Sequence, residues 1–381
     1  MLFRSVNSGS VHCVDDVAYD IISLFCAAQE NNGRASGDVV ESSAESLRAD
    51  IISWISDKYP ELEKTEIEEV ICDVEDLKSA GKLFSEDVYE PHAYDLKNRH
   101  TEIKALCMHV AHTCNLNCGY CFAAQGKFTG NCALMSFETG KRALDFLIEN
   151  SGDRVNLEVD FFGGEPLMNW EVVKDLVKYA RAAEKKHKKN FRFTLTTNGV
   201  GIDDGVIRFV NEHMHNVVLS LDGRKDVHDR FRKYPGGGGS YEDIVPKFRK
   251  LVEARNGKGY YMRGTFTHAN TDFVKDVLHM ADLGFDQLSM EPVVCDGEDP
   301  SALTQEDLPI LMEQYEILAK EMLKRKKEGR PITFYHYMID LEGGPCIYKR
   351  ISGCGSGTEY FAVTPWGELF PCHRFVGQSD F

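Results

Sequence analysis

The chain has 381 residues, of which 43% are hydrophobic and 27% charged, and it carries a formal net charge of −16. That length favours two or three domains over a single core, and the composition is that of a soluble globular protein. The acidic balance argues against broad binding to phosphate backbones, no apolar run approaches a membrane span, and the N-terminus has no signal-peptide pattern, so the chain is expected in the cytoplasm with neither nucleic acid nor membrane as a partner.

Residues 1–90 read as a small α+β domain. Leu2–Val6 and Val11–Val14 are predicted strands about a turn at Asn7–Ser10, and Asp15 or Asp16 caps a helix whose face carries Val17, Ile21, Ile22, Leu24 and Phe25. Amphipathic helices are predicted over Ala44–Tyr59 and Lys64–Ala80. From about residue 91 to 300 the pattern alternates between strands and helices. Strands are expected at Ile103–Val110, Val155–Phe162, Phe191–Thr197, Val217–Leu221, Tyr260–Thr267 and Gln287–Glu291, with helices between them. Six such β/α units imply a parallel sheet curled into a partial TIM-type barrel. Thr304–Asp307 reads as a capping box for a connecting helix over 301–330. Residues 331–381 are rich in Gly, Cys and aromatics, the mark of a metal-stapled module, with a hairpin over Tyr360–Phe370.

Twelve cysteines in a chain with no export signal point to metal or redox chemistry rather than disulfides. Cys114, Cys118 and Cys121 are clustered on the loop after the first barrel strand, where barrel enzymes keep their chemistry. Three thiolates suit a [4Fe–4S] cluster with one iron left open. They also suit a zinc site completed by His109 or His112. The other strand tips weigh on that choice. Gly163-Gly164-Glu165-Pro166 ends the second strand, Thr196-Thr197-Asn198-Gly199 the third, and Ser220-Leu221-Asp222-Gly223 the fourth. All converge on one mouth, and a structural zinc knuckle needs none of them.

The Cys-x3-Cys-x2-Cys spacing and these tips resemble the radical S-adenosylmethionine (SAM) enzymes. The resemblance implies a [4Fe–4S] cluster on Cys114, Cys118 and Cys121 whose open iron is chelated by SAM. Tyr120 is then expected beside the adenine, Gly163, Gly164 and Glu165 at the cofactor's amino group, and Asn198, Ser220 and Asp222 at the remaining cofactor-facing tips. Cys354-x12-Gly367-x4-Cys372, with Cys346 upstream, resembles the opening of a SPASM module, which implies at least one auxiliary [4Fe–4S] cluster in the full-length protein. Such modules carry further cysteines, whereas this sequence stops nine residues after Cys372, so a truncated chain is expected.

The N-terminal pattern, running into Val14–Ile22, resembles the PqqD-like elements that bind the leader of a ribosomal precursor peptide as an added strand. With Lys104–His112 and Phe122–Gly126, the whole chain resembles the maturases of SCIFF peptides. That resemblance implies thioether bonds between a cysteine sulfur and a carbon of another residue, threonine being expected, with ferredoxin or flavodoxin as electron donor. Two other readings stand beside it. One is an anaerobic sulfatase maturase, a family that places an aspartate where this chain has His373. The other is a non-catalytic iron–sulfur protein that carries electrons or binds peptides.

Overall fold

The computed structural model describes residues 2–5, 7–34, 44–87, 90–92, 102–128, 130–339 and 353–378. It divides into two compact units, residues 1–99 with 339–353, and residues 100–338 with 354–381. Among the described residues no helix is long and apolar enough to cross a membrane.

In the first unit, β1 (Leu2–Arg4) pairs antiparallel with β2 (Val11–Cys13). Helices α1 (Asp16–Arg34), α2 (Ala44–Lys58) and α3 (Lys64–Ser79) follow. Asp15 Oδ1 accepts from Ala18 N at 2.8 Å, capping α1 as expected. Ile21 and Ile22 of α1, Ile51 and Ile55 of α2, and Ile67, Ile71 and Val74 of α3 form one buried core. The i, i+4 and i, i+3 spacing in α2 and α3 gives each of those helices a single apolar stripe.

The second unit is built on one mixed sheet in the order β10-β9-β8-β7-β6-β5-β3-β11-β12, with β4 (Ala133–Leu134) antiparallel to β3. The six long parallel strands are β3 (Ala105–His112), β5 (Asn156–Gly163), β6 (Asn190–Thr197), β7 (Asn216–Ser220), β8 (Tyr260–Phe266) and β9 (Gln287–Pro292). Between them run α4 (Phe137–Glu149), α5 (Trp170–His187), α6 (Asp204–His213), α7 (Lys225–Phe231), α8 (Tyr241–Ala254) and α9 (Val274–Asp282), and α10 (Leu308–Lys327) follows β9. Ser136 Oγ accepts from Thr139 N and Asp203 Oδ1 from Val206 N, which fixes the starts of α4 and α6.

Sequence reasoning put six strands in the parallel array; the structure extends it by one at each edge. Short β10 (Thr333–Phe334) pairs parallel with β9. On the other side, β11 (Tyr360–Val363) pairs parallel with β3 while forming the expected hairpin with β12 (Leu369–Phe370). A two-residue strand has no readable period, and the β11 sequence shows only its hairpin arm. Among the described residues the array does not close: β10 and β12 remain its two ends.

Alternation along the strands decides where the core lies. Leu157, Val159 and Phe161 of β5, Phe191, Phe193 and Leu195 of β6, and Val217 and Leu219 of β7 bury one face under the helices. The opposite face carries Asp160, Thr194, Thr196, Ser220, Arg263 and Glu291. A closed TIM barrel fills this space with branched apolar side chains. Here it is a polar lumen.

Candidate active site

Two cavities open on that lumen. One lies at the N-terminal ends of the strands, between Glu158, Arg192, Asn216 and Tyr261, and contains no cysteine. The other lies at the C-terminal ends and is lined by Cys114, Cys118, Tyr120, Cys121, Gly163, Gly164, Asn198 and Ser220. Its position and its thiols make it the candidate site.

The cysteine loop is held by its own backbone. Asn117 N donates to Lys233 O at 2.7 Å, Gly119 N to Phe231 O at 3.0 Å, and Glu165 N to Thr113 O at 3.0 Å. Just past Cys121 the chain turns through left-handed backbone at Ala124 (φ 45°), Gln125 (φ 54°) and Gly126 (φ 87°), a conformation that side-chain-bearing residues adopt only where their surroundings enforce it. Asn198 Nδ2 donates to Asn115 Oδ1 at 2.7 Å and lies 3.6 Å from Cys114 Sγ. Burial pushes the Cys114 thiol up to about 12 and the Cys118 thiol up to about 11, with the Arg232 charge opposing the rise at Cys118.

Three thiols and no carboxylate or imidazole on the loop form a soft donor set. That chemistry fits an iron–sulfur cluster, whose positive charge draws the protons from buried thiols. Completion of a zinc site by histidine finds no geometric support. His109 Nδ1 and His112 Nε2 lie 3.1 Å from each other, buried against the Phe128 ring, and neither residue lines the cysteine cavity.

Two residues expected to face a cofactor stand behind the wall instead. Glu165 is fully buried and accepts from Thr197 Oγ1 at 2.7 Å, Asn198 N at 2.8 Å and Leu167 N at 3.0 Å. Its carboxyl, raised by burial to about 7, joins the second strand tip to the third. Asp222 is also fully buried, chelated by Arg232 through Nε at 2.9 Å and Nη2 at 3.1 Å. It accepts further from Tyr120 Oη and from Thr265 N. Both are positioning residues.

Among the described residues the C-terminal cysteines do not themselves line the cavity, although His373 and Arg374, next to Cys372, do. Cys354 is exposed, Cys372 Sγ is 3.5 Å from His373 Nδ1, and Cys346 lies outside the described residues. Ser356 Oγ and Gly357 N both donate to Pro371 O, so the hairpin does bring the Cys372 segment back beside the Cys354 segment. Sequence reasoning missed Asp160 and Arg374, and named His373 only as the position where sulfatase maturases carry an aspartate; all three line the cysteine cavity. Asp160 was legible as one of two acids, with Glu158, within the apolar run of β5. Apart from that resemblance, no local pattern links residues 373 and 374 to a strand tip so far away in the chain.

His228 makes the site's electrostatics testable. It is fully buried, accepts from Asp222 N at 3.3 Å and pairs with Ser240 Oγ at 3.0 Å; burial lowers it to about 4. The unfolded chain therefore binds a proton below pH 6.5 that the fold refuses until about pH 4, so this contribution is complete above pH 6.5 and lost on acidification. Glu165 acts with the opposite sign, so the effect is read as a difference. The stability gap between the protein and its His228→Gln variant is expected to shrink by roughly 2 kcal/mol from pH 7 to pH 5. A gap independent of pH in denaturant titrations would refute this account.

Residues 108–281 match the family model of the radical SAM superfamily, and this part of the chain is a radical SAM domain. Members of that superfamily are enzymes that use a [4Fe–4S] cluster and SAM. The chain is 30% identical over 143 residues to the uncharacterized protein MJ0907 of Methanocaldococcus jannaschii, a match over 38% of this chain and 46% of that protein, so less than half the length of this relative is spanned. It is 24% identical over 281 residues to the cysteine-type anaerobic sulfatase-maturating enzyme of Clostridium novyi, covering 69% of this chain and 71% of that enzyme. Among solved structures, the fold is shared with Streptococcus suis SuiB bound to precursor peptide SuiA, with a TM-score of 0.54 and 16% identity over 99% of this chain and 83% of that one.

Proposed function

We propose that this protein is a cytoplasmic radical SAM peptide maturase that forms thioether cross-links in a cysteine-rich ribosomal peptide of the SCIFF type. The observation that carries the reading is that one cavity is lined both by Cys114, Cys118 and Cys121 and by His373 and Arg374 of the C-terminal cysteine segment. A reaction begun at the loop and an electron acceptor seated on the C-terminal segment would share a single chamber. SuiB, whose fold spans nearly the whole chain, was solved with a precursor peptide.

In this reading Cys114, Cys118 and Cys121 hold the cluster, and the cluster with SAM supplies a hydrogen-abstracting radical when bound. Gly163 and Gly164 present bare backbone to the cofactor, Asn198 and Ser220 give it polar contacts, and the Asp222–Arg232 pair fixes Tyr120. Cys354 and Cys372 would contribute to an auxiliary cluster that takes the surplus electron. The β1–β2 sheet, two-stranded among the described residues, would offer the leader peptide an edge strand to join. Ferredoxin or flavodoxin is the proposed reductant.

The competing formylglycine reading draws on the Clostridium novyi relative. The two differ in mass. Anaerobically reconstituted, reduced protein given SAM and a cysteine-rich, threonine-containing precursor peptide is expected to yield 5′-deoxyadenosine and a peptide lighter by two hydrogens per cross-link. Exchange of sulfur for oxygen together with loss of two hydrogens would establish formylglycine formation instead. Deoxyadenosine with an unaltered peptide would end the thioether reading, and absence of deoxyadenosine would end the radical one.

A further inference from the structure

Arg263 and Arg374 enter the cysteine cavity from different elements. Arg263 stands on the lumen face of β8, where the neighbouring Met262 and Gly264 are buried. Arg374 belongs to the segment after Cys372, and its guanidinium lies 4.1 Å from the Phe122 ring centroid. The other arginines of this region are already neutralised: Arg232 by Asp222, and Arg224 by Asp272 and Asp276. Among the described residues, Arg263 and Arg374 make no side-chain hydrogen bond or ion pair.

The acids within reach feel the field of Arg263 but make no hydrogen bond or ion pair with either guanidinium. Glu291 accepts from Ser289 Oγ at 2.7 Å and faces His336 Nε2 at 3.2 Å. Asp160 is turned to Thr196 Oγ1 at 3.3 Å, and burial raises its carboxyl to about 7, so much of it is neutral at physiological pH. Two guanidiniums facing one chamber repel each other, and an incoming anion relieves that repulsion while satisfying both donor forks.

We propose that Arg263 and Arg374 form a carboxylate-binding pair that recognises the peptide substrate by an acidic side chain or by its C-terminal carboxylate. This rests on the peptide-maturase reading, because it assumes that a peptide enters the cavity. The planar forks suit a carboxylate, and the Phe122 face holds one of them in place.

The test uses cluster-reconstituted protein with SAM bound and three probes: N-acetyl-Thr-Gly-Cys-Glu-Gly-amide, the same peptide with Gln for Glu, and the Gln peptide with a free C-terminal carboxylate. One of the two carboxylate probes is expected to bind about tenfold more tightly than the neutral peptide, identifying the source. That ratio should fall to about one in both Arg263→Gln and Arg374→Gln and be partly kept in Arg263→Lys. Equal binding of all three probes, no binding of any, or a preference that survives in the Gln variants would overturn the proposal. So would variants that weaken only SAM binding, since the anion recognised would then be the cofactor's own. Deoxyadenosine release by the unsubstituted protein is scored separately. Its absence would count against radical chemistry and leave the binding ratio readable.

Discussion

Replacing Arg232 with alanine is expected to lower the melting temperature of the barrel unit by about 6–20 °C, corresponding to roughly 3–5 kcal/mol. The size follows from where the charges sit. The Arg232 side chain is 12% exposed and the Asp222 side chain 0%, and the pair is joined by two parallel hydrogen bonds. Removing the guanidinium strands a carboxylate in the interior, its remaining donors being Tyr120 Oη and Thr265 N. Those two bonds do not repay the lost counter-charge. Asp222→Asn in the same background should restore part of the loss, because the residue left behind is then neutral. Thermal unfolding of the two variants decides the matter. A single variant that melts within a degree or two of the parent would show that the pair is far better hydrated than its burial implies.

Gly164→Ala is expected to abolish cluster loading, with iron content and deoxyadenosine formation both falling at least tenfold. A Cβ at this position would sit 2.1 Å from Thr113 O, 2.7 Å from Thr113 C and 2.9 Å from Gly126 Cα. All three atoms are backbone, so no rotamer change can absorb the contact. Thr113 immediately precedes Cys114, and Gly126 closes the left-handed turn after Cys121. A shift in either moves the thiols. Gly236→Ala is the control, since its Cβ would have nothing within 4 Å. Normal iron and turnover in Gly164→Ala would mean that the cysteine loop yields more easily than its hydrogen bonds indicate.

The parts of this architecture legible in the sequence were those written in local chemistry. Period-2 runs such as Phe191-Arg192-Phe193-Thr194-Leu195 announced the long strands, and the tight cysteine spacing announced the loop. Side-chain direction was harder to read. Glu165 and Asp222 sit at the expected strand tips but turn behind the wall, because each finds a set of donors there that the open cavity does not offer. The inward course of Arg263 followed from strand alternation only once the register of β8 was known. The seat of His373 and Arg374 was invisible, for it depends on β11 choosing β3 as its neighbour.

That choice also bears on how the chain is made. Lys104 and Glu359, whose side chains meet at 2.7 Å, are 255 positions apart. At ordinary ribosomal speeds the strand leading into the cysteine loop waits about 10–50 s before its outer neighbour exists. Throughout that interval β3 offers a bare edge beside three free thiols, a template for wrong partners and a target for oxidation. The order of synthesis thus sets a period of vulnerability that ends only when the last strand pair is laid down.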